Sequence, residues 1–168
     1  MEKKLEAAFN DQINKEYYSA YLYLAMKTAF AEMNLPGFVN WFDIQVQEEK
    51  AHAVGMYNYV LERGGHVELE AIDKPQLEGT TPVEIFKQVL AHEKYVTSRI
   101  NAVYDVAEEV KDRAAMLFLN WYIKEQVEEE ASASDVLTRV ERLGNDTHAL
   151  LDLDKELAAR VVNPPIIK

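Results

Sequence analysis

Glu16, Glu49, Glu93 and Glu129 each sit on an otherwise apolar helical stripe, and His52 lies one turn past Glu49. In IQVQEEKAHAVGMY, residues 44–57, the stripe through Phe42, Met56 and Tyr59 also carries Gln45, Glu49 and His52. Residues three or four apart share a helix face, so the carboxylate and the imidazole project together. One Glu on such a stripe is ordinarily an edge residue reaching for water, and one His a satisfied core residue. Several carboxylates in one interior are different. An uncompensated buried ion is strongly destabilising, and crowded carboxylates repel and take up protons. The stripes offer no Arg or Lys to pair with them. Bound cations make the arrangement tolerable, and oxygen ligands with one nitrogen suit hard or borderline divalent metals such as Fe(II) or Mn(II).

Four long segments of helical spacing must position these groups. The first runs from about Lys3 to Met33, with Leu5, Phe9, Gln12, Glu16, Ser19, Tyr23, Met26 and Phe30 on one stripe. NLPG breaks it, and Pro36 suits the first turn of a second helix that runs to about Arg63 and stops at Gly64-Gly65. HVELEAIDKPQLEGT is too long for an ordinary helix–helix loop, and its Val67, Leu69 and Ala71 alternate as in an extended segment. Thr81, Pro82 and Glu84 form a capping-box start for the third helix, whose stripe includes Phe86, Leu90, Glu93, Thr97 and Ile100. Asp112 caps the fourth, which carries Leu119, Tyr122, Gln126, Glu129, Ala133 and Val136 and ends at Gly144. A short fifth helix, about 147–161, follows GNDT.

Short links make antiparallel neighbours, and the long middle link makes helices two and three parallel. The expectation is an all-α, four-helix bundle with one long crossover, about 3–144, plus the fifth helix, in a single domain over 1–168. The halves echo each other: Glu16 to Glu49 and Glu93 to Gln126 are both 33 residues.

Composition narrows the partners. A formal net charge of -11 repels nucleic acid and anionic membrane and attracts cations. No apolar run reaches the roughly 18 residues of a membrane span. Cysteine is absent, which removes disulfides, zinc ribbons and thiol chemistry and fits a reducing compartment. The N-terminal MEKKLEAAFNDQINKEYY lacks the apolar core of a secretory signal, so a cytoplasmic protein is expected.

A Glu from each of two helices with Glu-x-x-His from each of the other two is the pattern of di-iron carboxylate bundles, and this chain carries the His once, at His52. The sequence resembles the non-haem bacterial and archaeal ferritins along essentially its whole length. The residues that carry the resemblance are NKEYYSAYLYL around Glu16, WFDIQVQEEKAH at 41–52, HEK around Glu93, and NWYIKEQVEEEASA at 120–133. The resemblance implies ferroxidase chemistry with O2 or peroxide. Glu16, Glu49 and His52 would hold one iron and Glu49 would bridge. Glu93 and Glu129 would serve a second, with Gln126 close by. Glu48, Glu125 and Glu128 resemble the added ligands of a third iron site that shares Glu129, and in the triple-Glu run Glu130 competes with Glu128 by position. Tyr23 matches a tyrosine that donates an electron beside the centre, and a hydrogen-bonded core tyrosine is the plain alternative.

The resemblance also implies storage of Fe(III) mineral in a shell of twenty-four copies, with the fifth helix around the four-fold axis. Leu150, Leu153 and Leu157 would be an apolar face that one bundle leaves unsatisfied. Two departures exclude haem: Ser132 stands where bacterioferritins repeat the His, and Lys50 where they carry the haem-binding Met. Rubrerythrins need cysteines that are missing. Met116 and Leu119 stand where animal ferritins line the three-fold channel with acids, so that entry route does not carry over. The competing classes are a soluble di-iron oxidase or peroxidase without storage, and a non-catalytic acidic scaffold.

Overall fold

The computed structural model describes residues 1–162; the remainder of the expected domain, 163–168, lies outside the described residues. Among the described residues are five helices and no strand: α1 Lys3–Glu32, α2 Pro36–Glu62, α3 Pro82–Glu109, α4 Arg113–Leu143 and α5 Thr147–Leu157. The starts follow the local chemistry. The Glu2 side chain accepts from the amides of Lys4 and Leu5. Thr81 and Glu84 form the expected reciprocal capping box. Asp112 accepts from the Ala115 amide at 3.0 Å, and its carboxylate takes both Arg63 Nη2 at 2.8 Å and Nη1 at 3.2 Å. That fork ties the end of α2 to the start of α4, as parallel α2 and α3 require.

Residues 64–80 run outside the bundle along α1, without forming a strand. A stretch this long must satisfy its own backbone groups. Asn10 donates to His66 O at 3.0 Å and accepts from the Glu68 amide at 3.1 Å, while Asn14 donates to Ala71 O at 3.0 Å. Polar residues on the outer face of α1 thus guide the crossover.

The core is divided. One cluster gathers Phe30, Phe38, Trp41, Phe42, Phe86, Val136 and their neighbours, with Phe30 and Phe38 stacked at 4.7 Å. The other gathers Leu5, Phe9, Met56, Ile100, Leu119 and Tyr122. Every long helix contributes to both clusters, and Glu16, Glu49, Glu93 and Glu129 each lie between the two contributions of their helix. The carboxylates therefore form a polar band across the middle of the bundle. Leu119 is fully buried in the second cluster, so it faces its own core and lines no channel.

α5 departs from expectation in two ways. It ends at Leu157, not near 161. Asn40 of α2 stops it, donating to Leu157 O at 3.1 Å and Arg160 O at 2.9 Å. Its apolar face is also satisfied within the chain: Leu153 and Leu157 are buried in the first cluster and Leu150 packs against it. Periodicity shows that a helix has an apolar face, but not which surface covers it. α2 has no side-chain cap of its own. Asp154 of α5 supplies one, its Oδ1 accepting from the Gly37 amide at 2.7 Å and the Phe38 amide at 3.0 Å.

Gly37 permits this contact, because a Cβ there would stand 1.6 Å from Asp154 O. Backbone against Cβ cannot be relieved by a rotamer change. Alanine would gain about 1 kcal/mol of helix propensity, but forced overpacking costs about 1–3 kcal/mol and breaks the cap besides. Gly37→Ala is expected to lower stability to thermal or urea unfolding. Hydrogen exchange should quicken at the α5 amides and stay unchanged in α3; equal protection of α5 in both proteins would refute the account.

Candidate metal centre

Glu16 from α1 and Glu49 and His52 from α2 meet in the polar band. Each is 1% exposed, which excludes the reading in which they turn out to solvent. Their ligand-type atoms all lie within 4.8 Å of one another. His52 Nδ1 stands 3.8 Å from Glu16 Oε2 and 3.6 Å from Glu49 Oε2. These spans are long for hydrogen bonds. Ligand atoms about 2.0–2.2 Å from one ion lie roughly 3–4 Å apart, so the spacing suits a shared cation. Glu16 Oε2, Glu49 Oε2 and His52 Nε2 have no hydrogen-bond partner, although buried polar atoms almost always find one. The donor set, two carboxylates and an imidazole aimed at one point, fits a divalent metal ion.

A second group adjoins it. His52, Glu125 and Glu129 also hold ligand atoms within 4.8 Å of one another, with His52 Nε2 4.0 Å from Glu125 Oε1. Glu93 of α3 is buried, accepts from the Tyr23 hydroxyl on Oε1, and accepts from Gln126 Nε2 at 3.2 Å on Oε2. Tyr23 and Gln126 thus both lie against Glu93. His92, the neighbour of Glu93, is instead bonded to Ser19 Oγ at 2.8 Å.

The remaining expected residues divide. Glu48 is buried but paired with Arg160 Nη2 at 2.8 Å. Glu128 is exposed and joins neither group, while Glu130 accepts from Thr97 Oγ1 at 2.6 Å and faces α3. Five further side chains support the site without having been given a role in the sequence. Gln12 donates to Glu16 Oε1 at 2.7 Å, and Gln45 donates to Glu129 Oε2 at 2.9 Å. Gln12 lies one turn before the Glu16 it bonds, which was its signal, whereas Gln45 shares a stripe with Glu49 but bonds across the bundle. Thr97 lies within 3.4 Å of Gln126 Nε2. Arg160 had no periodic signal at all. Tyr122 holds the helix carrying the imidazole, donating to His52 O at 2.8 Å.

A one-crossover four-helix bundle with carboxylates and an imidazole banded across its interior defines the ferritin-like class. The chain belongs to the ferritin family: the Ferritin-like domain model matches residues 6–143. It is 39% identical to the bacterial non-heme ferritin of Staphylococcus aureus over 160 residues, 95% of this chain and 96% of that one. The Staphylococcus epidermidis protein of the same name is 39% identical over 163 residues, covering 97% and 98%. Among solved structures, the open pore ferritin of the archaeon Archaeoglobus fulgidus superposes with TM-score 0.94 at 47% identity, covering 96% of this chain and 99% of that one. A closed form of that ferritin, engineered by site-directed mutagenesis, gives 0.95 at 47%, covering 97% and 99%.

Burial dominates the electrostatics of the band. It pushes Glu93 from its ordinary 4.5 up to about 8, with the Glu129 charge adding and the Tyr23 and Gln126 hydrogen bonds opposing. Glu49 is raised well above the carboxylate range, first by burial and then by Glu93, Glu16 and Glu129. Burial also raises Glu48 to about 7 despite Arg160. Without metal, Glu49 and Glu93 therefore favour their protonated forms, and a cation that binds to them must release those protons.

The sign of the pH dependence follows. These carboxyls bind protons more tightly folded than unfolded, so stability decreases as pH rises through the interval between the two values. For Glu93 that interval runs from 4.5 to about 8. Urea midpoints of metal-free protein are expected to fall across it. Glu93→Gln should flatten the slope, and a divalent ion should restore stability at the alkaline end; a midpoint rising over this interval would contradict the assignment.

Proposed function

We propose that this protein is an iron-storage ferritin that oxidises Fe(II) at a paired carboxylate centre within each subunit. The observation that carries the reading is the buried pair of unpartnered oxygens, Glu16 Oε2 and Glu49 Oε2, 3.8 and 3.6 Å from His52 Nδ1, in a band where uncompensated groups are strongly destabilising. Glu16, Glu49 and His52 receive one Fe(II). Glu49 bridges to a second, received by Glu93 and Glu129 with Gln126 beside it. Glu125, Glu48 and Glu129 form an outer site, with the exposed Glu128 at its rim.

Iron is the substrate. Each Fe(II) gives up one electron. O2 takes two electrons and two protons and leaves as H2O2, or H2O2 takes two of each and leaves as two waters. Paired oxidation avoids releasing superoxide. The protein supplies geometry, charge neutralisation and a dry enclosure. Tyr23, bonded to Glu93, holds this carboxylate in place beside the second iron, and two Fe(II) supply both electrons without it. Fe(III) then passes inward and mineralises. Lys50 and Ser132 at the two haem-diagnostic positions support a haem-free protein, and among the described residues no helix is long and apolar enough to cross a membrane. The reading places the protein in the cytoplasm.

Storage requires a closed shell of twenty-four copies. Leu117 and Val127 on α4, 73% and 68% exposed, are apolar surface that neighbours would cover. α5 already spends its apolar face within its own bundle. That favours one second reading, a soluble di-iron oxidase without storage.

Two measurements test these readings. Oxygen uptake after anaerobic loading with Fe(II) should be fast in the wild type and at least about a hundredfold slower in Glu49→Gln/His52→Ala; equal rates would end the ferroxidase claim. On a sizing column the protein should elute as an assembly of twenty-four 19.3 kDa chains. Elution near one chain, with oxidation intact, would leave the oxidase without storage.

A further inference from the structure

Among the described residues, Arg160 reaches the polar band from outside the four helices. It lies on the irregular segment after α5. Its Nη2 donates to Glu48 Oε2 at 2.8 Å and its Nη1 to Gln45 Oε1 at 2.6 Å and Trp41 O at 3.4 Å. The guanidinium stands 5.1 Å over the Trp41 ring. Trp41, Gln45 and Glu48 follow one another up a single face of α2. The Arg160 backbone is held too, its carbonyl accepting from Asn40 at 2.9 Å. Gln45, fixed through Oε1, donates its Nε2 to Glu129 Oε2 at 2.9 Å. One side chain thus neutralises Glu48 directly and sets the orientation of Glu129 through one amide. The Glu48–Arg160 pair is mostly enclosed, its side chains 11% and 26% exposed, so one edge opens to solvent.

A guanidinium carries a fixed charge and five donors in a rigid fork. Arg160 holds one oxygen of Glu48, and a divalent ion arriving at the other would stand beside a fixed positive charge, so the two cations repel. We propose that Arg160 is a resident cation of the outer carboxylate site, displaced when a metal ion binds at Glu48 and Glu125, so that filling this site releases residues 158–162 after α5. This deepens the reading of the paired centre and rests on it. It sets an order of loading: the inner pair, with no competing cation, fills first. It also couples the outer site to the anchorage of the chain after α5, because Arg160 holds both.

The test uses metal-free assembled protein titrated with Co(II), which is not oxidised under the conditions, and calorimetry to resolve the ions bound per chain. The wild type is expected to bind two ions tightly and a third more weakly. Arg160→Gln should tighten the third ion about tenfold and leave the ion at Glu16, Glu49 and His52 unchanged. Arg160→Lys, which keeps the charge, should stay near the wild type. Glu48→Gln should lose the third ion in either background. Hydrogen exchange at residues 158–162 should quicken in the wild type only when the third ion binds, and be fast throughout in Arg160→Gln. An Arg160→Gln protein whose third ion binds within about twofold of wild type, or more weakly, would reduce Arg160 to a structural pin and overturn the proposal. So would a lysine variant that behaves like the glutamine variant. Failure of the underlying reading looks different: the two tight ions would be missing in the wild type, or would persist in Glu49→Gln/His52→Ala, and both proposals would fall together.

Discussion

Carboxylates withdrawn from water are the constraint around which the rest of this bundle is arranged. Glu16, Glu49, Glu93 and Glu129 occupy interior positions that hydrophobic residues would fill more favourably. Their environment is organised to hold them there. Gln12, Gln45, Gln126 and Tyr23 each donate a hydrogen bond to a carboxylate oxygen. These bonds fix one oxygen of Glu16 and leave the other turned toward His52 without a partner. Such donors orient a carboxylate without neutralising it, so the charge of the band remains for protons or metal ions to balance.

The supporting structure follows from the same need. Two apolar clusters, rich in aromatic contacts such as the Phe30–Phe38 and Tyr59–Phe118 stacks, clamp the helices on either side of the band. The crossover is kept outside the bundle by Asn10 and Asn14, so no loop backbone competes for space inside. The bidentate Arg63–Asp112 fork closes one end, and the Asp154 cap and the Asn40 clasp close the other. Rigid ends keep mid-helix side chains from four helices at one level, which a metal site with distances fixed to tenths of an ångström requires.

Much of this was legible in the sequence because it is written locally. The capping box at Thr81 and Glu84, the Asp112 cap and the terminating Gly144 each act within a few residues, and helical periodicity puts Glu16, Glu49, Glu93 and Glu129 on the correct stripes. What was not legible acts at long range. Arg160 meets Glu48 across 112 positions and Asp154 meets Gly37 across 117, and neither belongs to a repeating pattern. The apolar face of α5 was visible, but its partner was not, since Leu150, Leu153 and Leu157 suit a neighbouring subunit as well as their own bundle. Glu128 and Glu130 are only two residues apart in a run of acids, and what separates them is Thr97 on another helix.

The division of the core has a consequence for how such a chain can diverge. Because each cluster is built by all four long helices and is separated from the other by a polar layer, the two packing problems are nearly independent, and changes in distant, unshared contacts tend to add. Either end of the molecule can be repacked, provided its total volume is kept, without the repacking reaching across the waist. Apolar sequence at the two ends can therefore drift on separate clocks while the residues of the waist stay locked to one another.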